Sequence, residues 1–87
     1  MTIKIVYKPS FLRQYRKLIE SLREEAKEKI EIFRQDPSHP FLKTHKLKGS
    51  LKDFWSFSVN YQYRIIFQYE AQDKITLIAI DNHDIYK

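Results

Sequence analysis

The chain has 87 residues, a formal charge of +5, one glycine and no cysteine. That length suits one small core, so a single domain over 1–87 is expected, and the lack of cysteine excludes disulfides and thiolate sites. The lone glycine, Gly49, excludes glycine-rich phosphate loops, while a pI near 9.5 favours a polyanionic or acidic partner.

In chain order, Ile3, Ile5 and Tyr7 alternate with Lys4 and Lys8, which predicts a short edge strand stopped by Pro9. Proline is well tolerated in the first turn of a helix. Phe11, Leu12, Tyr15, Leu18, Ile19 and Leu22 then recur at three- and four-residue spacing, which predicts one amphipathic helix. Ser21 followed by Glu24 reads as a capping box opening a second helix, with Leu22, Ala26, Ile30 and Phe33 as its buried stripe. Glu24, Glu25, Glu28 and Glu31 interleave with Lys27 and Lys29 on what reads as a solvated face. Asp36-Pro37-Ser38-His39-Pro40 ends that helix, because the residue before each proline is pushed toward extended conformations.

Phe41 to Lys52 form a basic patch, with Lys43, His45, Lys46, Lys48 and Lys52 and no acid before Asp53. A short strand is expected near Thr44 to Leu47, then a turn at Gly49-Ser50. From Trp55 to Tyr69 every odd position is aromatic or aliphatic and nearly every even one polar, the period of a half-buried strand. The segment is too long for one strand, so a hairpin turning near Asn60 to Tyr63 is expected. If both arms keep odd residues inward the loop is odd in length, with pairs such as Val59 with Ile65 or Phe57 with Phe67. Arg64 then lies on the polar face with Ser58 and Gln68. The run from Ile75 to Ile80 predicts a last strand covered on both sides.

This order predicts a two-layer α+β domain: an N-terminal strand and a two-helix hairpin packed on one face of a mainly antiparallel four- to five-stranded sheet, the other face partly open. No span-length apolar run and no charged-then-apolar leader is visible, so a soluble cytoplasmic protein with no membrane association is expected. No metal-ligand spacing stands out, and neither a metal nor a cofactor is expected.

What remains is a set of cations, histidines and aromatic hydroxyls, which suits metal-independent cleavage of RNA. The 2′-hydroxyl is an internal nucleophile, so the protein need only remove its proton, stabilise charge on phosphorus and protonate the departing 5′-oxygen. Arginine suits the middle task, since it stays charged and grips two phosphate oxygens at once. Lys46 and Lys48 are candidate phosphate contacts. Trp55 falls in the core register and is weighed between packing and base stacking.

The segments HKLKGSLKDFWSFSVNYQYRIIFQY and ITLIAIDNHDIYK together resemble the RelE/ParE superfamily of bacterial toxins, specifically its RelE/StbE and YafQ-like messenger-RNA interferases. The resemblance implies a RelE-like fold and a ribosome-dependent endoribonuclease that cleaves mRNA in the ribosomal A site and inhibits translation. It also implies a toxin, itself monomeric, that a cognate antitoxin inactivates by forming a hetero-oligomer. Matched onto this chain, Arg64 steadies the scissile phosphate, His83 and His45 serve proton transfer, and Tyr86 positions or stacks substrate. The tail is one residue shorter between His83 and Tyr86 than relatives usually show. No cation lies between Trp55 and Ser58, so acid–base work falls to the histidines. The alternatives are a ParE-like toxin that blocks gyrase without chemistry, and an inactive RNA-binding relative.

Overall fold

The computed structural model describes residues 3–49 and 53–82. The elements run β1 (Lys4–Tyr7), α1 (Pro9–Arg16), α2 (Glu20–Gln35), a 3-10 turn (Pro40–Leu42), β2 (His45–Lys46), β3 (Trp55–Ser58), β4 (Tyr63–Ala71) and β5 (Lys74–Asn82). Five strands form one sheet in the order β1-β5-β4-β3-β2, antiparallel except where β1 runs parallel to β5. This is the α+β arrangement expected, with a full five strands.

Both helices press their apolar stripes onto one sheet face. Phe11 of α1 and Leu22, Ala26, Ile30 and Phe33 of α2 meet Phe57, Val59, Ile65, Phe67, Ile75, Leu77 and Ile80 in a single buried cluster. At its centre Phe33 stacks on Phe57 at 4.5 Å between centroids and meets Phe67 edge-on at 4.8 Å. Such geometries add to plain area burial, and truncating Phe33 to alanine would cost about 3–5 kcal/mol.

The helix boundary differs from the expectation. The apolar spacing reads as one helix through Leu22, but α1 stops at Arg16 and α2 begins at Glu20 with extended Ile19 as its N-cap. The Ser21 capping box is therefore not formed, and Ser21 lies inside the first turn. Arg23 explains part of the break, because its guanidinium donates to the Leu18 carbonyl and its own carbonyl accepts from the Tyr15 hydroxyl. Leu18 stays packed against the core, whereas Ile19 is 70% exposed.

The central hairpin keeps odd residues inward with an odd-length loop, but its register differs by two from the pairs expected. Trp55 pairs with Phe67, Phe57 with Ile65 and Ser58 with Arg64. Asn60 sets this closure: its Oδ1 accepts from the backbone N–H of Gln62 and Tyr63, both at 2.8 Å, and Val59 N–H donates to the Tyr63 carbonyl. Asparagine that bonds its own backbone two residues on makes such a turn without glycine.

In β5 the pairing shifts between Ile66–Ala79 and Phe67–Leu77, which leaves Ile78 as an extra residue. Ile75 and Leu77 face the core before this bulge, and Ile80 faces it after. Asp81 therefore stands on the opposite face. Among the described residues, no helix is long and apolar enough to cross a membrane.

Candidate functional site

Directly paired residues in a sheet share a face, so the register fixes which side chains meet. His45 pairs with Ser56, Ser58 with Arg64, and Arg64 with Asp81. His45, Ser56, Ser58, Arg64 and Asp81 therefore lie on the face turned away from the helices. Lys46 pairs with Trp55, and Trp55 with Phe67, which puts Lys46 and Trp55 on the helix-bearing side. Trp55 packs there against Phe67 and Tyr69. Lys48 is exposed just beyond β2. His83 and Tyr86 lie outside the described residues.

Strand spacing of about 4.8 Å and a two-residue offset separate the His45 and Arg64 Cα atoms by roughly 12 Å. Both side chains are long enough to reach a group held between them. An open cleft of ≈ 760 Å³ at this end of the sheet is lined by both, together with Lys29, Lys43, Glu25 and Ser58. Three cations, Lys29, Lys43 and Arg64, face one carboxylate, Glu25, in that set, so the cleft attracts anions.

Arg64 takes the face that its alternation suggests, beside Ser58, but is only 8% exposed there. It sits on β4, the middle strand, between β3 and β5. Asp81 lies directly opposite it on β5.

His45 is exposed and oriented by backbone. Its Nδ1 lies 3.0 Å from the Lys43 carbonyl, and a carbonyl only accepts, so Nδ1 donates the hydrogen and Nε2 is the nitrogen turned to other partners. Lys43 is held left-handed, φ 49, as it leaves the 3-10 turn, its N–H bonded to the Pro40 carbonyl. Left-handed backbone outside glycine costs about 1–2 kcal/mol and persists where its surroundings enforce it. Here it aims a carbonyl at an imidazole.

Two site residues were hidden in what reads as a solvated helix face. Lys27 and Glu24 do form an exposed pair, but Glu25 accepts from Asn60 Nδ2 at 3.0 Å and shares the cleft with Lys29. Helical periodicity carries no signal for this, since the contact spans 35 residues of sequence. Among the described residues, no cluster of histidine and acidic side chains could hold a metal ion.

Solved structures share this architecture. The chain is similar to the RelBE2 toxin–antitoxin complex from Mycobacterium tuberculosis, with 13% identity, TM-score 0.79, and coverage of 95% of this chain and 100% of that one. It is similar to YafQ from E. coli, with 13% identity, TM-score 0.78, and coverage of 98% and 99%. It also resembles the YoeB/ParE toxin from Agrobacterium tumefaciens, with 19% identity, TM-score 0.76, and coverage of 93% and 99%. The fold is thus that of the RelE-like toxins. A search of curated proteins returned no match. The family model of the HigB-like toxins, described as the RelE-like toxin of the type II toxin–antitoxin system HigB, matches residues 8–83, and the chain belongs to that family.

Proposed function

We propose that this protein is a ribosome-dependent, metal-independent endoribonuclease that cleaves mRNA and stops translation. The observation that carries the reading is that His45 and Arg64, 19 positions apart in sequence, share one sheet face and line one basic cleft. The His45 Nε2 takes the proton of the 2′-hydroxyl, whose oxygen then attacks phosphorus. Arg64 grips the non-bridging oxygens as their charge grows, and the bond to the 5′-oxygen breaks. His83 returns a proton to that oxygen, so the products are a 2′,3′-cyclic phosphate and a free 5′-hydroxyl. Water is not consumed in this step.

Lys29 and Lys43 neutralise flanking phosphates, a role without base reading. Lys46 and Lys48 extend the basic surface on the neighbouring strand edge. The whole chain acts as one cytoplasmic domain, monomeric when free and held inactive in a complex with an antitoxin. An acidic partner suits the net positive charge, and the RelBE2 neighbour is itself a toxin–antitoxin complex.

Mapping the 5′ ends of messages shortly after induction tests this reading. Wild type should create new ends bearing 5′-hydroxyls, and Arg64→Ala should not. Growth arrest with intact messages and a DNA-damage response would reject it in favour of gyrase inhibition.

A further inference from the structure

Two aromatic rings stand at the rim of the cleft with almost no cover. Tyr61, at the tip of the β3–β4 turn, is 99% exposed, and Phe41, in the 3-10 turn, is 68% exposed, yet both line the same cavity as Arg64 and His45. A single exposed aromatic is ordinary; two on the lip of one basic cleft are not. Each is presented by a braced backbone. The Tyr61 turn is tied by Asn60 to Gln62, Tyr63 and helix residue Glu25. Phe41 N–H donates to His39 Nδ1 at 3.1 Å, and the Phe41 ring meets the His39 ring edge-on at 4.7 Å.

We infer that Phe41 and Tyr61 are base-stacking residues of this cleft, taking unpaired nucleobases beside the phosphate that Arg64 holds. This rests on the nuclease reading for its substrate but adds what the cations cannot supply. Phosphate contacts hold RNA of any structure, whereas stacking needs bases that are already splayed. Every base has a π face, so the pair selects single strands without selecting sequence. A cleft of ≈ 760 Å³ lies within the range that encloses nucleotide-sized ligands.

The test is fluorescence anisotropy of the full chain with a short uncleavable 2′-O-methyl oligonucleotide and with an abasic oligonucleotide of equal length. Wild type should bind the base-bearing strand more tightly. Phe41→Ala and Tyr61→Ala should each weaken that binding by about 5- to 100-fold and leave the abasic strand unaffected, while Phe41→Trp and Tyr61→Phe keep it. Equal wild-type binding of both strands, no binding of either, or alanine variants that bind as wild type would overturn the inference. If Arg64→Ala abolishes message cleavage but the aromatic variants bind normally, the nuclease stands and the stacking role falls. If base-dependent binding is lost in the variants while wild type leaves messages intact, stacking stands and the nuclease falls.

Discussion

Arg64 faces Asp81 directly across β4 and β5, on the side of the sheet away from the helices. Opposite charges at directly paired positions contribute about 0.2–1 kcal/mol, so Asp81→Asn should lower stability by that amount in urea unfolding. Arg64→Lys keeps the charge but loses the planar fork; cleavage should fall by about 10²–10³ with little change in the unfolding midpoint. Lysine supporting wild-type cleavage would show that charge alone suffices.

His45→Ala should slow cleavage by about 10²–10⁴, the usual contribution of a positioned general base. The side chain is exposed, and its bond to the Lys43 carbonyl is local, so circular dichroism should be unchanged. Added imidazole restoring part of the rate would identify the lost function as proton transfer. Full activity without the side chain would assign the base elsewhere.

Asn60 joins the turn to α2, and three hydrogen bonds depend on its amide. Asn60→Ala should lower stability by about 1–2 kcal/mol. Asn60→Asp retains an acceptor for the Gln62 and Tyr63 N–H groups but sets a carboxylate against Glu25, so Glu25→Gln should rescue it. A double-mutant cycle showing no coupling between positions 25 and 60 would contradict the contact.

Burial raises the pKa of the Tyr69 hydroxyl above its ordinary 10.0. A folded-state value above the unfolded one adds stability that is present below the unfolded pKa and lost as pH rises through the folded one. Unfolding experiments should therefore show stability declining above about pH 10, and Tyr69→Phe should flatten that limb. The Tyr69 ring lies 5.4 Å from Trp55, the only tryptophan, so quenching of its emission by the phenolate reports the titration.

The central strands were legible because hydrophobic alternation is imposed by the sheet itself. Phe57, Ile65 and Phe67 could hardly face elsewhere. The two-residue register difference arose because Asn60 closes the turn through its side chain, information absent from the apolar pattern. The break at Lys17–Ile19 was hidden for a related reason. Leu18 and Ile19 continue the helical spacing, while a guanidinium bond from Arg23 to the Leu18 carbonyl serves the chain where it leaves the helix.

At the candidate site, Arg64 and His45 were singled out by residue chemistry and resemblance. Their shared face was not readable, because it requires the His45–Ser56 and Ser58–Arg64 registers together. The burial of Arg64 was missed since alternation reports which side a residue takes, not how much of it is covered there. Glu25, Lys29, Phe41 and Tyr61 join the cleft only through contacts distant in sequence.

The supernumerary Ile78 decides which of two adjacent residues meets water. With uninterrupted alternation after Ile75 and Leu77, Asp81 would point down among the phenylalanines and Ile80 would look outward. Because Leu77 and Ala79 already lie opposite the consecutive residues Phe67 and Ile66, excising the Ile78 codon would make the pairing regular and leave Ile80 and Asp81 on their present faces. The acid opposite Arg64 thus owes its side of the sheet to a residue that the ladder skips.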